Sequence, residues 1–275
     1  MRKPGRITAA MIAALLIAVL VMPGCGGRQR AHSITVAGST SVQPFVEVLS
    51  EEFTKQHKDL VVNVQGGGSS AGIQAAIAGA AEIGMSSRDL KPKEKQLREV
   101  LIARDAIAVV VHPENPLTNI GLDSLRKIFD GSITSWEQLG WASKPVTVIS
   151  REEGSGTRGA FEELVMKTVE VWPGCLVQDS NGSVRVTVAQ DKYAIGYISL
   201  GLVNDSVKAL SLDAIEPTFD NASSGKYSLV RPFLFVLKNE PQGLAKQFID
   251  YVLSEEGQRM LREEGLVPAV ARTTH

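Results

Sequence analysis

Apolar residues recur along the chain in two rhythms. Runs rich in apolar residues at 33–37, 60–64, 83–85, 106–111, 146–149 and 193–198 read as strands. The run 106–111 is apolar on both faces, as a central strand covered on both sides should be. Between these runs the spacing changes to three and four. Val42, Phe45, Val46, Leu49 and Phe53 mark an amphipathic helix over 42–57. Further helices are predicted over 71–80, 91–101, 122–129, 243–253 and 255–264, and 182–189 fits either a strand or a helix start. Three times a strand runs into a Gly/Ser turn and then a helix: Gly38-Ser39-Thr40-Ser41, Gly66-Gly67-Gly68-Ser69-Ser70, and Arg151-Glu152-Glu153-Gly154-Ser155-Gly156-Thr157-Arg158. Such alternation predicts an α/β fold with largely parallel sheets, whose ligands bind at the carboxyl ends of strands, where all three turns fall.

The third turn carries the most chemistry. It would leave the amides of Ser155 to Thr157 at a helix N-terminus, where unsatisfied N–H groups and the helix dipole favour an anion. Ser155 and Thr157 add hydroxyl donors, and Arg151 adds a planar fork suited to two oxygens. No lysine follows the last glycine, so the loop is not a nucleotide-binding P-loop. Residues 66–72 taken alone read equally well as a flexible linker; their place between a strand and a helix favours close approach of backbone to a ligand.

The first 24 residues stand apart. Arg2, Lys3 and Arg6 precede an apolar stretch over 7–22, shorter than the ~20 residues of a spanning helix. A signal peptide over 1–24 is expected. Gly24-Cys25 resembles the lipobox of bacterial lipoproteins, with Met22-Pro23 in place of its usual residues, and predicts lipidation at Cys25 and a tether over 25–32. An uncleaved anchor and a plain secretory signal are the alternatives. Removal of the signal takes three of the 29 Lys+Arg, leaving 26 against 30 Asp+Glu, a net charge of about −4. No basic excess is left for nucleic acid. Cys175 is the second of two cysteines, so a lipidated Cys25 leaves no intramolecular disulfide, and Cys175 is expected to be a small buried side chain. His32, His57, His112 and His275 fall at unrelated spacings; no zinc site and no cofactor are predicted.

Taken together, 37–40, 68–70, 83–88 (Ile-Gly-Met-Ser-Ser-Arg), 128–131 with Trp136, 151–157, 194–197 and 230–232 resemble the phosphate-binding proteins of bacterial phosphate ABC transporters, over essentially the whole mature chain. The resemblance implies a two-lobed periplasmic-binding-protein clamshell of type II, each lobe a mixed, largely parallel sheet flanked by helices, with a two-segment hinge. Residues 33–112 and 227–275 would form the first lobe and 113–226 the second, the first crossing falling at the double-proline turn 112–116. It further implies phosphate held by Ser39, Thr40, Ser41, Ser69 and Ser87 from one lobe and Arg151, Ser155, Gly156 and Thr157 from the other. Glu153 matches the carboxylate that pairs with the arginine. The best-known members carry an aspartate where this chain has Ser87, an acceptor for the proton that phosphate keeps and sulfate lacks; a subgroup carries the Ser-Ser-Arg form. Asp105 is a weaker alternative acceptor, otherwise paired with Arg104 or Arg88. Arg158 and Arg231 read as structural, Arg231 as a brace near the hinge, and Trp136 and Trp141 as packing aromatics.

The expectation is a monomeric, lipid-anchored extracytoplasmic solute-binding protein that delivers phosphate to a permease. Two other readings remain open. One is a receptor for sulfate, molybdate or another tetrahedral oxyanion, or a phosphate sensor. The other is a hydrolase or phosphatase with Ser155 as nucleophile, against which stand the missing G-x-S-x-G elbow and the lack of a nearby histidine in sequence.

Overall fold

The computed structural model describes residues His32–Ala269; the expected signal peptide, Cys25 and all of the tether before His32 lie outside the described residues. Twelve strands are described: β1 (His32–Gly38), β2 (Leu60–Gly66), β3 (Ile83–Ser86), β4 (Arg98–Val111), β5 (Asn119–Ile120), β6 (Thr147–Arg151), β7 (Leu176–Gln178), β8 (Ala194–Ser199), β9 (Lys208–Ala209), β10 (Ser211–Leu212), β11 (Val230–Leu237) and β12 (Val267–Pro268). The main path runs β2-β1-β3-β11-β4-β8-β6-β7. The pairs β1–β2, β1–β3, β6–β7 and β6–β8 are parallel, whereas β11 lies antiparallel to both β3 and β4.

The long strand β4 organises this path. Its first part, Arg98 to Ala106, pairs with β11, and from Ile107 to Val111 it pairs with β8. Packing changes at the same point. Ile102 and Ala103 join an apolar cluster with Ile34, Val36, Phe45, Phe53, Phe235 and Phe248, while Ala106, Ile107, Val109 and Val111 join a second cluster with Phe129, Trp136, Phe161, Ile195 and Tyr197. The clusters are the cores of two lobes. The change of core thus falls inside β4, upstream of the expected turn at 112–116, because one continuous strand pairs with β11 along its first part and with β8 along its second. On the returning segment Tyr227 and Leu229 still pack in the second core. There the Ile107 amide donates to the Leu229 carbonyl (2.8 Å) and the Tyr227 hydroxyl to the Ile107 carbonyl (2.9 Å), so the two crossing segments lie side by side.

All three predicted strand–turn–helix units form, with helices Gln43–Gln56, Ser69–Ala78 and Gly156–Phe161. The ambiguous 182–189 lies within a helix, Asn181–Gln190, started by Ser180, whose hydroxyl accepts from the Ser183 amide at 3.0 Å. One expectation fails: 91–101 is not a helix. A single turn at Pro92–Glu94 leads into β4, and Val100 and Leu101 stand opposite Phe235 and Leu234 of β11. The sheet partner overrides the charged, helix-like local composition. Trp136 and Cys175 are buried in the second core, as expected, and burial pushes the Cys175 thiol up to about 11. No helix among the described residues is long and apolar enough to cross a membrane.

Candidate anion site

The turns after β1, β2, β3 and β6 converge where the lobes meet. Each turn is shaped by its own polar side chains. Ser39 caps the entry to the helix Gln43–Gln56: its carbonyl accepts from the Val42 and Gln43 amides and its hydroxyl from the Ser41 and Val42 amides. Ser155 caps Gly156–Phe161, its hydroxyl accepting from the Arg158 amide at 3.2 Å. Ser69, Gly156 and Thr157 sit in first turns, where amides have no intrahelical acceptor, and Thr40 sits in the turn just before its helix.

Contacts across the lobes are short and polar. The Ser41 and Thr157 hydroxyls lie 2.8 Å apart, the Ser70 amide donates to the Gly154 carbonyl (3.1 Å), and Arg151 Nη2 donates to Thr40 Oγ1 (3.2 Å). Ser39, Ser41, Ser69, Ser87, Arg151, Ser155 and Thr157 are all buried. Ser39 Oγ donates to Ser87 Oγ (2.8 Å), and Ser69 Oγ accepts from the Ser87 amide (3.0 Å). A Cβ on Gly156 would stand 2.1 Å from Ser69 Oγ and 2.5 Å from Ser87 Oγ, so only glycine admits the second lobe this close. The structure therefore brings Ser39, Thr40, Ser41, Ser69, Ser87, Arg151, Ser155, Gly156 and Thr157 to one place between the lobes.

Glu153 is the exception. The carboxylate paired with Arg151 is its neighbour Glu152, which accepts from Nε at 2.9 Å and from Nη2 at 3.0 Å. Glu153 is exposed and lines a cavity of about 340 Å³ at the rim, together with Arg88, Ser155 and Gly159. The carbonyls of Gln178 and Asp179 complete the cradle of Arg151 at 3.1 Å each. Nη1 is buried and has no hydrogen-bond partner among the described residues.

Two residues beyond the predicted set complete the site. Asn181 Nδ2 donates to Ser41 Oγ (2.9 Å) and Thr40 Oγ1 (3.4 Å), while its Oδ1 accepts from the Ser199 amide (3.1 Å). The sequence leaves 182–189 open between strand and helix, and nothing in it singles out Asn181. Arg231 braces the crossing as expected, and it also donates to Ser41 Oγ (3.1 Å) and the Ser87 carbonyl (3.3 Å). Its carboxylate partner is Asp105, at 2.8 Å, with both side chains buried. Asp105 thus pairs with neither Arg104 nor Arg88. Arg88 holds Glu94 at 2.8 Å, and Arg158 holds Glu162 at 2.7 Å and the Arg151 carbonyl at 3.0 Å. Burial raises Asp105 above the ordinary carboxylate range, against the opposing pull of Arg231 and Ser199.

Each buried arginine near the site is matched by one carboxylate, so the site offers hydroxyl and N–H donors with little net charge. Hydrogen bonds to a charged ligand are the stronger kind and suit an oxyanion. The array offers little to a nucleophilic mechanism. His57 packs against the Phe53 ring at 4.6 Å and His112 Nδ1 accepts from the Glu114 amide, away from Ser155. Among the described residues no group of His, Cys, Asp and Glu could hold a metal ion.

A family model described as a PBP superfamily domain matches residues 25–256. The phosphate-binding protein PstS of Bacillus subtilis is 33% identical over 249 residues, 88% of this chain and 83% of that protein. Among solved structures, a putative phosphate ABC transporter substrate-binding protein from Clostridium perfringens, with bound phosphate, is 43% identical with a TM-score of 0.84, covering 87% of this chain and all of that one. An ABC-type phosphate transport receptor from Vibrio cholerae is 38% identical with a TM-score of 0.71, covering 85% and 99%.

Proposed function

We infer that this chain, which belongs to the PBP superfamily and within it to the phosphate-binding PstS family, is the extracytoplasmic solute-binding component of a phosphate ABC transporter. It captures inorganic phosphate between its lobes and delivers it to a permease. It is a transport protein, not an enzyme. The observation that carries the reading at residue level is Arg151: a buried guanidinium held by Glu152, Thr40, Gln178 and Asp179 whose Nη1 alone lacks a partner. It belongs to the cluster formed by Ser39, Thr40, Ser41, Ser69, Ser87, Ser155, Gly156 and Thr157, in which Ser39 and Ser41 would orient Ser87 and Thr157 and the others would hold the anion. The donors are already positioned by their own turns, so binding needs little reorganisation. Micromolar affinity corresponds to ~8 kcal/mol, a range several charge-assisted hydrogen bonds can supply.

Lipidation at Cys25, attaching a monomeric receptor to the membrane through a short tether, belongs to the same proposal and is supported by the sequence around that residue. Two experiments test the two parts. Calorimetric titration of residues 26–275 with phosphate should give saturable binding that Arg151→Met abolishes; binding unaffected by the substitution would remove Arg151 from the site. Metabolic labelling with a radioactive fatty acid should mark the full chain and not Cys25→Ser; equal labelling of both would refute the anchor.

A further inference from the structure

The hydroxyls of the site have a sense that can be read from hydrogen-bond capacity. A hydroxyl oxygen has two lone pairs and one proton. Ser41 Oγ receives N–H donors from Asn181 Nδ2 (2.9 Å) and Arg231 Nη2 (3.1 Å), which occupy both lone pairs. Its own proton is then committed to Thr157 Oγ1 at 2.8 Å. Thr40 Oγ1 likewise receives Arg151 Nη2 and Asn181 Nδ2, leaving it only a proton to offer. Ser39 Oγ receives two backbone amides and gives its proton to Ser87 Oγ. Ser87 Oγ also lies 3.4 Å from Ser69 Oγ, and with its own proton turned to Ser69 it keeps a free lone pair. The orientation of Asn181 follows from its other end, because the Ser199 amide is a donor and must face the carbonyl oxygen.

We propose that Asn181, assisted by Arg231, is a positioning residue that fixes this sense on one side of the site: it commits Thr40 and Ser41 as donors and turns Ser41 onto Thr157 across the lobes, while Ser87, held by Ser39 and Ser69, is left to accept the proton of the ligand. The proposal rests on the phosphate reading above and specifies how that site sorts its oxygens. Ionised oxygens go to the Thr40 and Thr157 side, and the protonated oxygen goes to Ser87. Asn181 also ties closure to binding, since it stands on the second lobe and its acceptors stand on the first.

The test is a cycle of Asn181→Ala, Ser41→Ala and the double variant, titrated with inorganic phosphate and followed by stopped flow. Asn181→Ala should weaken binding about tenfold, as loss of a buried hydrogen-bond donor does, with the change in the dissociation rate. In the Ser41→Ala background the same substitution should cost markedly less, because much of its effect runs through Ser41. Asn181→Asp keeps the size of the side chain and the acceptor for Ser199 but replaces the donors. It should lose more affinity than Asn181→Ala, and it decides the matter if the alanine variant does not fold. Unchanged affinity in Asn181→Asp, or fully additive losses in the cycle, would overturn the proposal. A wild-type protein that ignores phosphate would instead overturn the functional reading, and the proposal with it.

Discussion

Arg151 and Glu152 form a two-point ion pair, Nε to Oε2 at 2.9 Å and Nη2 to Oε1 at 3.0 Å, that clamps one edge of the guanidinium and leaves Nη1 without a partner. A lysine could not be held in this way, because its ammonium is a point charge without a fork. Arg151→Lys is expected to weaken phosphate binding at least tenfold by titration. Glu152→Ala, which frees the arginine, should also weaken it about tenfold, whereas Glu153→Ala should leave it within about twofold. Equal effects of the two glutamates would contradict the pairing.

Gly156 is where the lobes come closest. Alanine there would place Cβ within 2.1 Å of Ser69 Oγ and 2.5 Å of Ser87 Oγ, yet alanine is the better helix former. Gly156→Ala should therefore leave the thermal midpoint of the ligand-free protein nearly unchanged while weakening phosphate binding more than tenfold. A matching loss of stability, or no loss of affinity, would count against a contact that matters mainly on closure.

The buried Asp105–Arg231 pair supports the two crossing segments. Removing one partner leaves a buried charge uncompensated, at a cost of ~3–5 kcal/mol. Asp105→Ala should show that loss in urea unfolding, and the double change Asp105→Leu with Arg231→Met should recover much of it. A double variant less stable than Asp105→Ala would show that the pair does more than balance charge.

Glu94 gives the acid side of the stability curve. Burial pushes its carboxyl up, but the hydrogen bond from Arg88, the Lys91 amide and the nearby positive charges outweigh that and hold it below the ordinary glutamate value. A carboxylate lowered on folding contributes stability that is present above its unfolded pKa and is lost as pH falls through the folded one. Glu94→Gln should thus be less stable than wild type at pH 7, with the gap in thermal midpoint closing as pH drops below the ordinary glutamate range. A gap independent of pH would assign the effect to packing.

The parts of this site that could be read in the sequence are those where chemistry and local structure share one stretch. Arg151, Ser155, Gly156 and Thr157 are nearly contiguous, and a strand followed by a capped helix places them together whatever the rest of the chain does. The choice between Glu152 and Glu153 depends on which of two adjacent carboxylates faces inward, and only the seating of Arg151 on the Gln178 and Asp179 carbonyls decides it. Asn181 and Arg231 reach Ser41 across sequence separations of 140 and 190 residues, a meeting set by tertiary packing rather than by any local motif. The failure at 91–101 has the same origin. Val100 and Leu101 are strand residues because β11 lies beside them, and their partners are remote in sequence.

The most direct test of the central claim is a pair of calorimetric titrations of residues 26–275, freed of carried-over ligand, with phosphate and then sulfate at neutral pH. Tight phosphate binding is expected with sulfate silent or far weaker, the difference resting on an acceptor at Ser87 for the proton that sulfate lacks. Comparable binding of both anions, or of sulfate alone, would contradict it and make Ser87 the position that turned the site to another ligand.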